Sequence, residues 1–211
     1  MPDLEKEQSL LRLGYSQVAG VDEVGRGPLA GPVLAGAVIL DPDIDPSVPW
    51  LRLVNDSKKL THLQRLRAND IIRTKSLAVS LGKCESGEID YLGISKACKV
   101  AMTRAIQGLN VTPDYLLIDY VELAEANIPY TAIPGGDGKS YSIAAASIVA
   151  KVARDEMMVA ANDTFPGYYF HRHKGYGTAR HMEMLNRLGP SPIHRRSFAP
   201  VRLSLESIRD S

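Results

Sequence analysis

The sequence has few cysteines, no long apolar run and no internal repeat or low-complexity segment. Its two cysteines, Cys84 and Cys98, form no metal-binding pattern, so we expect them to be reduced and unbonded, as in a cytoplasmic protein. No run approaches the roughly 18 apolar residues of a membrane span, and the acidic N-terminus does not resemble a signal peptide. These absences predict a cytoplasmic protein with no membrane partner.

The net charge of +1 over 211 residues conceals a basic C-terminal region. Residues 171–211 hold eight Lys or Arg and three acids, and four of the five histidines also lie there. A basic appendage on a mildly acidic body suggests contact with a polyanion. On charge alone, a solvated surface tail explains the same residues equally well.

Apolar periodicity predicts a mixed α/β fold. Strands are predicted at 18–24, 33–40, 77–82, 115–119 and 129–133, and helices at 61–76, 89–109 and 140–162. The character of the chain changes after Phe165-Pro166-Gly167, where the basic region begins. We therefore predict a main domain, 1–165, followed by a basic appendage, 166–211.

Two adjacent carboxylates, Asp22 and Glu23, follow the apolar run of the first predicted strand. Adjacent strand residues point to opposite faces, so at least one carboxylate faces inward, where an unpaired charge is costly. A divalent metal removes that cost, because hard cations bind carboxylate oxygens. The commoner alternative for an arbitrary Asp-Glu pair is a solvated strand end followed by a glycine turn.

The loop Gly25-Arg26-Gly27 follows directly. Glycines let backbone N–H groups approach a ligand closely, and an arginine suits phosphate. Residues 25–30 also fit a dinucleotide-binding fingerprint, but that fingerprint must open a helix and residues 33–40 are predicted to be a strand. Two acids at the mouth of the loop would also repel a pyrophosphate, so we reject that interpretation.

Asp119 ends the strand predicted at 115–119, and Asp137 precedes the alanine-rich helix. Each has a simpler explanation, as a turn residue or as an acid near a helix N-terminus. Taken together, Asp22, Glu23, Asp119 and Asp137 predict an acidic cluster at one end of the sheet. Like charges so close need a counter-ion. Two Mg²⁺ or Mn²⁺ ions about 4 Å apart would supply it and would clamp a phosphodiester displacement.

Further polar residues are candidates for substrate contacts. Ser147 and Lys151 share one face of the alanine-rich helix, and Lys58 lies in a turn before the helix at 61–76. For Ser147 and Lys151, a core helix carrying a solvated lysine is an equal alternative.

His173, Lys174 and Tyr176 lie in a segment that interleaves basic and aromatic residues, a pattern that suits base stacking together with phosphate contacts. The histidines could suggest zinc. No cysteine lies near them in the sequence, however, and the acidic cluster prefers harder ions.

These motifs, in this order, resemble those of bacterial-type ribonuclease HII. The matching segments are GVDEVGRGPLAG at 20–31, DSKKL at 56–60, LID at 117–119, GD at 136–137, SIAAASIVAKVARD at 142–155, HKGYG at 173–177, PIHR at 192–195 and SF at 197–198. The family often has glycine after the third carboxylate, where this chain has Tyr120.

The resemblance implies a ribonuclease H-like mixed sheet flanked by helices, with a C-terminal helical extension that completes the substrate-binding surface. It implies a catalytic domain at 1–165 and cleavage of RNA in RNA–DNA hybrids and at single ribonucleotides in duplex DNA, leaving 5′-phosphate and 3′-hydroxyl ends. Roles in ribonucleotide excision repair and DNA replication follow, together with a monomeric state and a DNA clamp as a candidate partner.

The resemblance also assigns residues. Asp22, Glu23, Asp119 and Asp137 match the metal-binding carboxylates, and Gly25-Arg26-Gly27 matches the loop that reads the ribose 2′-hydroxyl. Tyr176 matches the tyrosine that stacks near the RNA–DNA junction, while Lys58, Ser147 and Lys151 are candidates for supporting or phosphate contacts. The alternatives are a hybrid-binding protein without activity and another metal-dependent phosphodiesterase or phosphatase.

Overall fold

The computed structural model describes residues 1–209, with side chains through Glu206. Five strands form one sheet in the order β3-β2-β1-β4-β5. β1 is antiparallel to β2 and parallel to β4, and β4 is parallel to β5. The strands are β1 (Val18–Val24), β2 (Val33–Ile39), β3 (Ala78–Cys84), β4 (Tyr115–Asp119) and β5 (Tyr130–Ile133). The predicted mixed α/β sheet is therefore confirmed.

Helices connect and flank these strands. They are α1 (Glu5–Arg12), α2 (His62–Lys75), α3 (Ser86–Leu92), α4 (Ile94–Gln107), α5 (Tyr141–Thr164), α6 (Phe170–His173), α7 (Ala179–Leu188) and α8 (Ala199–Arg209). Short 3₁₀ segments occur at Pro49–Leu53, Ala124–Ala126 and Gly136–Gly138. The predicted C-terminal helices are present. The side chain of Arg209 and the whole of Asp210, both counted in the basic region, lie outside the described residues.

One local prediction differs from the structure, and one helix was not predicted. The single helix expected at 89–109 is two helices, because Gly93 adopts a φ of +78° and ends α3. Few residues other than glycine tolerate that backbone region, so the chain turns there before α4 begins. The N-terminal helix α1 was not predicted from the sequence.

The described chain divides into two compact units. The sheet unit comprises Met1–Val24, Leu34–Lys83 and Lys99–Val152. The helical unit comprises Gly25–Val33, Cys84–Cys98 and the described residues from Ala153 onward. Both units are discontinuous in sequence, whereas the functional division at residue 165 stays a prediction.

The core of the sheet unit lies between the sheet and the alanine-rich half of α5. A Cβ added to Gly20 would lie 2.0 Å from the carbonyl carbon of Ser142, and one added to Gly36 would lie 2.4 Å from the Ala146 oxygen. The helix backbone therefore touches β1 and β2 directly. The small residues of α5 make this close approach possible.

The helical unit has its own apolar clusters. One contains Ala30, Met158, Tyr168, Phe170 and Met184. The second contains Leu29, Leu185 and Val201. Ala30 and Leu29 thus anchor the loop that follows β1 within a core built from the C-terminal helices.

The structure also describes the two cysteines and the apolar character of the helices. Cys84 and Cys98 are both thiols in the structure, as expected. Within residues 1–209, no helix combines the length and the apolar character that crossing a membrane requires.

Candidate active site

The parallel strands of the sheet unit bring the four predicted carboxylates to one edge. Asp22 and Glu23 lie near the end of β1, and Asp119 is the last residue of β4. Val21 pairs with Ile118 in the parallel register, so Asp22 and Asp119 follow at the same level. Asp137 lies in the 3₁₀ segment that follows β5, the next parallel strand.

Burial and mutual repulsion couple these carboxylates electrostatically. Asp22 is 5% exposed and Asp137 is 7% exposed. Burial, followed by the charges of Glu23 and Asp119, raises the pKa of Asp22 well above its usual value, and Asp137 adds to the effect. Burial also raises the pKa of Asp119, partly offset by a hydrogen bond from Gly136. The cluster is therefore a strongly negative, partly desolvated site.

Main-chain and side-chain donors orient the cluster. The N–H of Gly136 donates to Asp119 Oδ1 at 2.7 Å, and the N–H of Glu23 donates to Asp22 Oδ1 at 2.7 Å. Lys58 Nζ lies 3.5 Å from Asp137 Oδ2. Burial alone would lower the pKa of Lys58, but Asp137 and Asp22 raise it above its usual value. Lys58 is thus a cation at the rim of the cluster.

Ser147 and Lys151 both lie on α5. Ser147 is buried, donates to Asp22 in a contact that lowers the pKa of that carboxyl, and lies 3.0 Å from the hydroxyl of Ser57. Lys151, one turn later, is half-buried. Ser147 therefore contacts a predicted metal ligand, which places it behind Asp22 and not at the surface.

The chemistry of the donors fits a divalent cation. All four side chains offer hard carboxylate oxygens, and their repulsion disappears when a cation binds between them. Among residues 1–209, no three His, Cys, Asp or Glu side chains already converge into a ready-made metal site. The assignment of Asp22, Glu23, Asp119 and Asp137 as metal ligands stays a prediction supported by their position and charge.

Sequence reasoning missed a glutamate that fixes the start of α5. Glu7 of α1 is buried, and its Oε1 accepts hydrogen bonds from Ser140 Oγ at 2.6 Å, Ser142 Oγ at 2.7 Å and Ser142 N–H at 3.0 Å. These contacts cap the first turn of α5, three residues after Asp137. No sequence signal indicated the pairing, because it joins residues more than 130 positions apart.

In the helical unit, buried arginines hold the loop Gly25-Arg26-Gly27. Arg195 donates to the carbonyls of Gly25 at 2.5 Å, Arg26 at 2.8 Å and Gly31 at 3.0 Å. Gly25 has a φ of +92°, and a Cβ there would lie 2.2 Å from Arg154 Nε. This backbone is therefore shaped before any ligand arrives. Arg154 and Arg195 both lie in segments that match the family motifs, but the sequence did not predict that they are buried.

Tyr176 lies close to this loop. A Cβ added to Gly27 would be 4.0 Å from Tyr176 Cε1, and the tyrosine side chain is 42% exposed. The N–H of Leu29 donates to the carbonyl of Gly175 at 2.8 Å, which ties the two segments together. The structure thus brings together the loop and the aromatic residue that the sequence singled out.

His173 and Lys174 form part of the framework beneath Tyr176. His173 Nε2 lies 2.8 Å from the Tyr168 carbonyl, and its Nδ1 accepts from the N–H of Gly175 at 3.2 Å. Lys174 has a φ of +52°, its ammonium donates to the His171 carbonyl, and its own carbonyl accepts from Arg154. Their predicted substrate contacts stay untested, and these bonds show a structural role for both.

Comparisons with known proteins identify relatives of the chain. The family model described as Ribonuclease HII matches residues 19–201. A ribonuclease HII of Chloroflexus aurantiacus is 47% identical over 211 residues, which cover 100% of both chains.

Solved structures give the same likeness. A ribonuclease H2 of Pyrococcus horikoshii OT3 has a TM-score of 0.77 at 27% identity, covering 92% of this chain and 100% of that one. The ribonuclease HII of Archaeoglobus fulgidus, solved as a complex with PCNA, has a TM-score of 0.70 at 25% identity, covering 85% and 92%. The mixed sheet flanked by helices is thus the fold that these proteins share.

Proposed function

Because the chain belongs to the ribonuclease HII family and is therefore an endonuclease of the ribonuclease H type, we propose that it cuts RNA–DNA hybrids and single ribonucleotides embedded in duplex DNA. The observation that carries the proposal is the coupled cluster of Asp22, Glu23, Asp119 and Asp137 at one sheet edge. A partly buried group of carboxylates of this kind suits a metal-dependent phosphodiester hydrolase. The products would carry 5′-phosphate and 3′-hydroxyl ends.

The four carboxylates would hold Mg²⁺ or Mn²⁺. When bound, such ions activate water and stabilise the leaving oxygen of a phosphodiester. Gly136 and Ser147 would keep Asp119 and Asp22 oriented through the hydrogen bonds described above. Lys58, which is exposed beside Asp137, would contact a substrate phosphate, and Lys151 is a second candidate for such a contact.

Recognition of the ribonucleotide would fall to the helical unit. The backbone of Gly25-Arg26-Gly27 would contact the ribose 2′-hydroxyl, the group that distinguishes RNA from DNA. Support comes from Arg195, which fixes two carbonyls of this loop and so preorganises it. Tyr176, exposed beside Gly27, would stack at the junction nucleotide, with His173 and Lys174 supporting the same surface.

The cellular setting follows from the substrate. We propose a monomer that acts in ribonucleotide excision repair and DNA replication in the cytoplasm, with 1–165 as the catalytic domain and 166–211 completing the substrate surface. The Archaeoglobus fulgidus relative was solved with PCNA. A DNA clamp protein is therefore the partner class that we propose for this chain.

One assay tests the proposal. Labelled duplexes carrying a single ribonucleotide, a long RNA–DNA hybrid or DNA alone are incubated with Mg²⁺, with Mn²⁺ or with excess chelator. We expect both ribonucleotide-containing substrates to be cut with either metal, the all-DNA duplex to stay intact, and chelator to abolish cleavage. Hybrid binding without cleavage, cleavage in excess chelator, or activity confined to a small phosphomonoester would each overturn the proposal.

A further inference from the structure

Two buried histidines of the helical unit form a hydrogen-bonded chain that ends on the backbone of Tyr176. His181, in the first turn of α7, is 0% exposed, and His194, in the loop before α8, is 2% exposed. The N–H of Ser191 lies 2.9 Å from His194 Nδ1, and the Ser191 hydroxyl lies 2.8 Å from the same nitrogen. His194 Nε2 lies 3.0 Å from His181 Nε2, and His181 Nδ1 lies 2.9 Å from the Tyr176 carbonyl oxygen.

These contacts determine where each proton sits. The Ser191 N–H can only donate, so His194 Nδ1 must accept and the proton of His194 must be on Nε2. That Nε2–H donates to His181 Nε2, which must therefore be bare. The proton of His181 is then on Nδ1, where it donates to the carbonyl of Tyr176.

Both rings must be neutral for the chain to hold. A second proton on His194 would face the Ser191 N–H, and a second proton on His181 would face the His194 N–H. Burial is the main reason that the pKa of His181 falls to about 4 and that of His194 to about 3. His173, stacked on His181 with ring centroids 4.4 Å apart, lowers the pKa of His181 further, and His181, followed by His173, lowers the pKa of His194 further.

His194 also lies between two residues that hydrogen-bond to the segment following the loop Gly25-Arg26-Gly27. The N–H of Gly31 donates to the carbonyl of Ile193 at 2.9 Å, and the N–H of Arg195 donates to the carbonyl of Leu29 at 2.8 Å. The residues on either side of His194 are thus paired with the segment that follows Gly27. The histidine chain therefore links that segment to Tyr176.

We propose that His181 and His194 are positioning residues that hold the backbone of Tyr176 against the Gly25–Gly27 loop and thereby set the preference for a single embedded ribonucleotide. The inference rests on the proposed function, in which Tyr176 reads the RNA–DNA junction. A long hybrid offers many equivalent ribonucleotide contacts, whereas an embedded ribonucleotide offers one junction. Loss of tyrosine positioning should therefore harm the embedded site more.

The proton positions can be measured without activity. Nitrogen-15 imidazole spectra of the full chain should show His181 protonated on Nδ1 and His194 on Nε2. We expect both assignments to persist from pH 8 to pH 5, because neither ring gains a proton in that range. A proton on Nε2 of His181, or titration of either ring near pH 6.5, would overturn the inference.

Three variants test the consequence for specificity. His181→Leu removes the donor to Tyr176, and His181→Asn keeps a side-chain N–H near the position of Nδ1. His171→Asn, in α6, is the control for replacing a histidine outside the hydrogen-bonded chain. The measured quantity is kcat/KM on a single-ribonucleotide duplex divided by kcat/KM on a long hybrid. We expect His181→Leu to lower this ratio about tenfold, the lower range of base–aromatic stacking, with His181→Asn and His171→Asn within about threefold of wild type.

The results of these experiments distinguish failure of the positioning role from failure of the proposed function. A wild-type chain that cuts neither substrate would overturn the proposed function, while the spectra would still test the histidine chain. If wild type cuts both and a folded His181→Leu keeps the wild-type ratio, the positioning role is wrong. An equal fall for His181→Leu and His181→Asn would also contradict it, since the retained donor should rescue the preference.

Discussion

Both compact units contain buried charged side chains, but the surroundings of those side chains differ. In the sheet unit, Asp22 and Asp137 are buried beside other carboxylates, and burial, followed by the neighbouring negative charges, raises the pKa of Asp22. In the helical unit, Arg154 and Arg195 are 0% exposed, yet each donates to three main-chain carbonyls. The carboxylate cluster leaves buried like charges repelling one another, whereas the two buried arginines are satisfied by main-chain acceptors.

The difference separates a site from a scaffold. A buried charge that the protein itself satisfies is part of the folded framework, and removing it leaves polar groups without partners. Buried like charges lower stability until a ligand of opposite charge binds, so they are typical of functional sites. Neutralising a carboxylate should therefore damage activity and spare the fold, while removing an arginine should damage the fold.

The largest expected effect is that of Asp119→Asn on cleavage. We expect kcat to fall about a thousandfold, or about 4 kcal/mol, because one ligand of the proposed metal site is lost. Thermal stability in chelator should be unchanged or slightly higher, since the amide is neutral and its oxygen can still accept from Gly136. Rates in Mg²⁺ and melting curves in chelator measure both effects. A collapsed melting temperature would identify Asp119 as a structural residue.

Arg195→Met tests the other side of the comparison. The carbonyls of Gly25, Arg26 and Gly31 would lose their donor, which should lower the free energy of unfolding by about 3 kcal/mol. The neighbouring Arg196 is exposed, so Arg196→Met should change the free energy of unfolding by less than about 0.5 kcal/mol. Denaturant midpoints of the two variants compare them directly. Equal midpoints would show that the buried arginine is not structural.

The sequence predicted the positions of the carboxylates at the strand ends, but it did not predict the buried arginines. Asp22 and Asp119 were placed correctly because each follows an apolar strand, and strand patterns are local signals. The buried positions of Arg154 and Arg195 were not predicted, because arginine is mostly a surface residue and only tertiary contacts reverse that preference. The carbonyls that they contact include those of residues 25–32, far away in sequence.

Helix boundaries and the histidine chain show the same limit. Gly93 interrupts an apolar helical pattern that looked continuous over 89–109, and its positive φ depends on how α3 and α4 are arranged. His181 and His194 are 13 positions apart, a spacing with no meaning on a single helix. Their contact exists because α7 and the following loop fold back on each other.

Tyr176 sharpens the comparison, because it belongs to the helical unit and should recognise substrate without holding metal. Stacking of a base on an aromatic ring contributes roughly 1–3 kcal/mol. We expect Tyr176→Ala to lower kcat/KM about ten- to a hundredfold on a single-ribonucleotide duplex, and Tyr176→Phe, which keeps the ring, to lower it less.

The control for the Tyr176 variants is the dependence of the rate on Mg²⁺ concentration. It should match wild type in both variants, because the carboxylates are untouched. Equal losses on single-ribonucleotide and long-hybrid substrates would argue against junction sensing. Full activity of Tyr176→Ala would mean that the ring serves packing alone.

The smallest expected effect is the response of stability to mild acid, which reports on the buried histidines. The pKa values of His181 and His194 lie near 4 and 3 in the folded chain and near 6.5 when unfolded. Between these values the unfolded state binds more protons, so stability falls as the pH drops below about 6.5. The two histidines together should lower the free energy of unfolding by about 1 kcal/mol between pH 7 and pH 6.

Melting curves of His181→Asn should show a shallower pH dependence than wild type, because one of the two buried histidines is gone. Identical slopes would mean that these rings take up protons in the folded state as easily as in the unfolded chain, and would contradict the neutral, hydrogen-bonded pair.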